Sequence, residues 1–300
     1  MEKEGDGGKM RILAAVDGSR AAMQAARYAA ELARATGGSV VLARAVSEAV
    51  ARSRAYPVRP PEDPVLHEAR DELRSAGVPI ETRLIVARPG EAITNELKAE
   101  AYDLVTLGSR GKGESGSTSL FLGSTALEVI RKAQVPVLIV RATEKGDPAG
   151  GEKEPRISTL LVPTDGSLAS MSAADLGASL AGVLGAQATL LHVHPPRPPR
   201  KAGVAEAEIL QTTAEPFTRR GVGVQTQAVA GDPASAILRE AREGAFDLIV
   251  MGTYGAGEAW QYRMRMGSVA ETVLTGAPCP VILVKHEVTM ELDGGVRRHE

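Results

Sequence analysis

The sequence predicts an α/β fold in two tandem copies, each an open sheet of five parallel strands with helices on both faces. Three observations carry that prediction. First, Gly108-Ser109-Arg110-Gly111-Lys112-Gly113-Glu114 returns 144 residues later as Gly252-Thr253-Tyr254-Gly255-Ala256-Gly257-Glu258. In both copies nine residues separate the third glycine from a Gly-Ser pair, Gly123-Ser124 and Gly267-Ser268. Second, short apolar runs alternate with helical patterns along each half, the order that builds βαβ units. Third, those runs contain few polar residues, as strands buried on both faces require.

Taken in order, residues 1–9 are polar and glycine-rich and predict a disordered tail. Residues 11–16 form a short apolar strand that ends at Asp17-Gly18-Ser19. A helix follows over 20–36, with alanines at helical spacing and Gly37-Gly38 as its stop. Residues 39–46 are the second strand. The segment 55–64 holds too many prolines for regular structure. A helix from Val65 ends at Gly77, and residues 80–86 make the third strand. Pro89 opens the next helix, because a first turn tolerates a residue without an N–H. Residues 103–107 lead into the first glycine-rich turn, a helix starts at Ser124, and residues 135–140 close the half.

Residues 142–156, rich in Gly, Pro, Glu and Lys, read as a linker. The order then repeats: a strand at 157–162 reaches Asp165-Gly166-Ser167, and a helix ends at Gly185. A strand at 188–193 enters a second proline-rich loop, 195–203, and the third strand ends at Gly231-Asp232-Pro233. Residues 279–285, including Cys279, form the fifth strand, and 286–300 make a loosely ordered tail. The domains are thus expected at 10–141 and 157–285.

Composition narrows the function. A chain of 300 residues with formal net charge −2 gives no electrostatic case for nucleic acid or a membrane surface as partner. A single cysteine allows neither an intrachain disulfide nor a cysteine metal cluster. No apolar run reaches membrane-spanning length, and residues 1–9 carry no signal-peptide core, so a soluble cytoplasmic protein is expected. Aromatic residues make up only 3%, which leaves the cores to Val, Leu, Ile and Ala.

The repeated turns carry the chemistry. A strand, a glycine-rich turn and a helix N-terminus together suit phosphate, because glycine lets the backbone approach an anion and free N–H groups can point at it. Neither copy is a Walker motif, and neither is a dinucleotide fingerprint, since the turns follow the fourth strand and not the first. Ser124 and Ser268 read as helix N-caps, the second within a capping box, Ser268-Val269-Ala270-Glu271. A phosphate could share the same N–H groups. Asp17 and Asp165 could be turn formers or caps. Beside a glycine-rich turn, such a carboxylate can also accept a hydrogen bond from an adenine amino group or a ribose hydroxyl. His192 and His194 lie two apart and cannot share a strand face, so they make a poor metal site. Arg52, Arg54 and Arg59, with Arg197, Arg200 and Lys201 in the matching loop, read as solvated loop cations. Cys279 reads as inert core.

On these residues the sequence resembles a tandem universal stress protein, from about Met10 to Lys285. The family pattern is Gly, two residues, Gly, nine residues, then Gly-Ser/Thr. Gly108 and Gly111 match its opening and Gly123-Ser124 its close, with eleven residues between Gly111 and Gly123. Gly252, Gly255 and Gly267-Ser268 show the same spacing, while counting nine back from the closing glycine reaches Gly113 and Gly257. The resemblance implies a Rossmann-like fold of the adenine nucleotide α-hydrolase-like type, with Asp17 and Asp165 facing base and ribose. It also implies that Ala45 and Val193 offer backbone to adenine.

The same resemblance implies one ATP per half, with Mg²⁺, in a nucleotide-dependent stress regulator or sensor. The halves would pair as an intrachain pseudo-dimer through their fifth strands, 135–140 and 279–285. A homodimer and an unidentified regulatory protein partner are further expectations, and hydrolysis would be slow at most, since no general base or arginine finger is evident. Two alternatives remain open. The longer loops would suit an interaction module that holds no nucleotide. A true hydrolase of the wider group would need a signature such as Ser-Gly-Gly-x-Asp-Ser after the first strand, and Val16-Asp17-Gly18-Ser19 is not one.

Overall fold

The computed structural model describes residues 9–52, 63–110, 122–141, 155–194, 196, 202–255 and 266–286. Most of the first proline-rich segment, most of the linker, both tails, and the candidates Gly111, Gly113 and Gly257 lie outside the described residues.

The first half contains β1 (Arg11–Ala15), α1 (Arg20–Thr36), β2 (Ser39–Val46), α2 (Glu48–Ala51), α3 (Pro64–Glu72), β3 (Ile80–Val86), α4 (Pro89–Ala99), β4 (Leu104–Gly108), α5 (Ser124–Lys132) and β5 (Val137–Val140). The second contains β6 (Thr159–Thr164), α6 (Leu168–Leu184), β7 (Gln187–His194), α7 (Ala202–Arg219), β8 (Val224–Ala230), α8 (Pro233–Glu243), β9 (Leu248–Gly252), α9 (Ser268–Gly276) and β10 (Val281–Val284). The single turn of α2 was not expected from the sequence, and α7 begins inside the stretch read as a proline-rich loop. Cys279 precedes β10 instead of lying in it and is only partly buried, because Pro280 delays the start of the strand.

All ten strands join one sheet in the order β3-β2-β1-β4-β5-β10-β9-β6-β7-β8. Every neighbouring pair is parallel except β5 and β10, which run antiparallel with Val281 opposite Ile139 and Leu283 opposite Val137. The fifth strands therefore meet, as the resemblance implied. Each half has its strand order reverse between its first and fourth strands. Ligands in open α/β sheets settle at that point, beyond the carboxyl ends.

Helices α1, α3, α6 and α7 bury their apolar stripes on one face of the sheet; α4, α5, α8 and α9 cover the other. The alanine stripe of α1, Ala22, Ala25, Ala26, Ala29 and Ala33, is fully or nearly fully buried, so this helix lies close against the strands. Small side chains allow that approach, and Gly37 in the left-handed conformation ends the helix.

Two cations exchange partners across the β5–β10 junction. Lys285, just beyond β10, donates from Nζ to the carbonyls of Arg131 and Ala133 at the end of α5, 2.8 Å each. Arg141, just beyond β5, donates to the Thr275 carbonyl near the end of α9. Each half thus places a positive charge at the negative end of a helix belonging to the other.

Candidate functional site

Each half has a cavity at its switch point. In the first, the end of β1 carries Asp17, the end of β2 carries Ala45, and β4 ends at Gly108, while α4 and α5 begin on the far side. The cavity measures about 400 Å³ and brings together Asp17, Ala45, Gly108 and Gly123. Ser124 starts α5 beside it without lining it. The second cavity, about 290 Å³, brings together Asp165, Val193, Gly252, Gly255, Gly267 and Ser268.

The aspartates do not cap helices. Ser19 and Ser167 do so, each hydroxyl accepting from an N–H three residues on, while Asp17 and Asp165 each accept from the N–H of that serine, at 2.9 and 3.0 Å. These turns hold one carboxylate oxygen and fix where the carboxylate stands.

The glycines of each motif do different work. A Cβ on Gly108 would sit 2.7 Å from the backbone nitrogen of Ala22, and one on Gly252 would sit 2.9 Å from the backbone carbon of Ala169. These two glycines let the first turn of α1 or α6 rest on the strand end. Their requirement is packing, in contrast to the ligand approach that the motif suggests. Gly255 is nearer the chemistry: a Cβ there would lie 2.6 Å from Oδ2 of Asp165, so the turn and the carboxylate share one tight corner.

The serine caps expected for α5 and α9 are corrected by the structure. The caps are Gly123 and Gly267, in extended conformation, with no side-chain hydrogen bond. The N–H of each glycine donates 2.8 Å to the carbonyl of Ser109 or Thr253, which holds it outside the helix, so the serines become first-turn residues. Among the described residues no side chain caps the first N–H groups of these two helices, whose N-terminal ends lie at the cavities. By contrast α1, α2, α3, α6 and α8 are all capped by their own serine or aspartate.

Several lining residues were not singled out from the sequence. Pro89 and Ile93 of α4 close the first cavity, and Pro233 and Ile237 of α8 close the second. The repeated proline at a helix start was a usable signal. Arg44 also lines the first cavity; its Nε stands 3.0 Å from Oδ2 of the fully buried Asp63, whose other oxygen caps α3 at Leu66. Arg110 lines the first cavity just after β4, and its charge, after burial itself, lowers the pKa of Arg141. In the second half Thr164 and Ser170 line the wall and their hydroxyls meet at 3.2 Å, with Thr213 of α7 3.0 Å from Thr164. His192 contacts the Thr164 carbonyl through Nδ1 at 2.9 Å and is buried; it belongs to this network, 8% exposed. Among the described residues no group of three or more His, Cys, Asp or Glu could hold a metal ion. No helix among them is long and apolar enough to cross a membrane.

An open, doubly covered sheet with paired cavities at its switch points defines a class of small-ligand-binding α/β proteins. The universal stress protein family model matches this chain twice, over residues 9–141 and 157–285, and the chain belongs to that family. A universal stress protein of Thermus aquaticus is 37% identical over 145 residues, covering 43% of this chain and 97% of that protein. One of Mycobacterium tuberculosis is 27% identical over 302 residues, covering 93% of this chain and 97% of that protein. The crystal structure of a universal stress protein from Archaeoglobus fulgidus shares the fold, with a TM-score of 0.64, 19% identity, and coverage of 92% of this chain and 98% of that one.

Proposed function

We propose that the protein binds two ATP molecules, one in each cavity, and acts as a cytoplasmic nucleotide-dependent stress regulator that signals to a protein partner. The observation that carries this reading is the repeated meeting of three features. A fixed aspartate carboxylate, the glycine that ends the fourth strand and a helix N-terminus without a side-chain cap among the described residues converge on each cavity. Asp17 and Asp165 would accept from base or ribose, and the first N–H groups of α5 and α9 would hold phosphate. The helix ends alone contribute roughly 0.3–1 kcal/mol to each anion.

Mg²⁺ fits this donor set as a companion of the phosphates. It would be held by the phosphates and its own waters, because the one carboxylate lining each cavity among the described residues, Asp17 or Asp165, is given to base or ribose. Bound there it would neutralise phosphate charge. The chain's own part is to position, and turnover is expected to be slow.

The test is to denature freshly purified protein, analyse the supernatant for nucleotide by ion exchange, and titrate the stripped protein with ATP calorimetrically. Two ATP per chain are expected, and ATP at a hundred times its dissociation constant should add about 2.7 kcal/mol of stability. Gly123 sits at φ −64° and ψ 153°, which any residue adopts, so Gly123→Val alters ligand approach without straining the backbone. It should reduce the stoichiometry to one. Absence of both nucleotide and binding heat would sink the reading in favour of an interaction module.

A further inference from the structure

The two cavities share most of their walls. Pro89 and Ile93 in the first are answered by Pro233 and Ile237 in the second, at the same places on α4 and α8. The cavities differ at Leu107 and Met251, Ser109 and Thr253, Arg110 and Tyr254, and Thr125 and Val269, and three further differences, all small against large, lie together at the ends of the first two strands of each half. Ala15 on β1 is paired with Ala43 on β2, and Ala45 follows one pleat further on. In the second half the paired residues are Pro163 and Leu191, followed by Val193. All six line their cavities. Three methyl groups therefore stand where the other half has a pyrrolidine ring, an isobutyl and an isopropyl group. The cavity volumes follow the same order, about 400 Å³ against about 290 Å³.

Because strand side chains alternate, residues 43 and 45 point to the same face of the sheet, as do 191 and 193. The space gained in the first half is therefore one continuous recess beside the backbone of Ala45. A recess between strand ends cannot collapse, because the hydrogen-bonded registers of β1, β2 and β3 hold its walls apart.

We propose that Ala15, Ala43 and Ala45 make the first-half cavity selective for a purine nucleotide carrying an added apolar substituent on its base, which the second half excludes. This rests on the nucleotide reading above. Pro163, Leu191 and Val193 confine the second cavity to an unsubstituted base. The chain then reads two ligands of one chemical class, distinguished by size.

The test uses the full chain, stripped of nucleotide, and calorimetric titration with ATP and with ATP analogues bearing benzyl at N6 or a thioalkyl group at C2 or C8. ATP is expected at two per chain, and at least one analogue at one per chain. Leu191→Ala with Val193→Ala should raise that analogue to two. Ala43→Leu with Ala45→Val should weaken it by roughly ten- to hundredfold, the cost of steric change in an apolar pocket, with ATP binding at the unaltered second half as the control. The enlarging pair keeps the proposal falsifiable if the filling pair fails to fold. If ATP binds and every analogue either matches its stoichiometry or does not bind, the size proposal is overturned and the nucleotide reading stands. An analogue bound at one per chain that ignores the enlarging pair overturns it as well. No ATP binding in the wild type overturns both.

Discussion

At the end of its second strand the first half places Arg44, and the second half places His192, each one residue before the backbone position that faces its cavity. Arg44 reaches Asp63 and so ties β2 to the start of α3 by an ion pair. His192 instead turns to the Thr164 carbonyl, and hydroxyls of Thr164, Ser170 and Thr213 tie β6 to α6 and α7. The same backbone frame is held by a charge pair in one half and by neutral hydrogen bonds in the other. What the halves have in common is therefore geometry at the cavity mouth: the Asp-Gly-Ser turn, the glycine packed on a helix, and the uncapped helix start. How the walls behind it are tied together is free to differ.

The largest way to break this comparison is Asp63→Ala. Asp63 is fully buried, so its loss removes the cap of α3 and leaves the half-buried Arg44 without its counter-ion. Destabilisation of about 3 kcal/mol is expected. Thr213→Val, which removes one hydroxyl from the equivalent network in the second half, should cost about 1 kcal/mol. Chemical denaturation reads both, and equal losses would mean that the two ties are energetically alike.

Next in size is Gly108→Val, with Gly252→Val beside it. The added side chain meets backbone at 2.7–2.9 Å and must push α1 or α6 off the strand, a loss of about 2 kcal/mol in each half. Gly123→Val, at backbone angles that valine adopts, should cost less, about 0.5–1 kcal/mol for a poorer N-cap. A stability loss at Gly123 as large as that at Gly108 would show that the motif is structural throughout.

The two glycines also mark what the sequence could and could not say. The alternation of strands and helices and the doubling were legible, because apolar runs, breakers and the repeat report directly on backbone and burial, whereas the pairing of fifth strands came from the family resemblance alone. Of the candidate site, Asp17, Gly108 and Gly123 were legible as positions and Ala45 followed from the resemblance, and these four line one cavity. The reason for each glycine was not legible, since a glycine that admits a ligand and one that admits a helix look the same in one dimension. The serine caps failed similarly. Ser268 and Glu271 have capping-box spacing, but a long-range hydrogen bond from Gly267 to Thr253 shifts the helix start by one residue. Ile93 and Ile237 stayed hidden because an isoleucine on a helix reads as core.

A smaller effect tests how far the halves depend on each other. Lys285→Ala removes a cation and two hydrogen bonds from the end of α5, which belongs to the other half. The expected loss is about 1 kcal/mol. Loss of cooperativity, seen as two unfolding transitions in place of one, would show that this exchange of cations couples the halves. A midpoint that does not move would leave the β5–β10 pairing and the Arg141–Thr275 bond to carry the junction.

The smallest expected effect comes from the helices that follow the third strands. Asp232 caps α8, its carboxylate accepting 2.9 Å from the Ser235 N–H, and bonding from the Ser235 side chain first and that N–H second holds its pKa below the usual carboxylate range. Its folded-state pKa being depressed, the cap is fully effective above the unfolded value of about 3.9 and is lost as pH falls through the folded one. In the first half the same place is Arg88, ahead of Pro89, and it makes no side-chain cap. Arg88→Asp should therefore stabilise the protein by about 0.5–1 kcal/mol at neutral pH, and the gain should disappear below about pH 3–4. A gain that persisted in acid would have to come from removing a positive charge at a helix N-terminus, which has no dependence on carboxylate titration, and not from the cap.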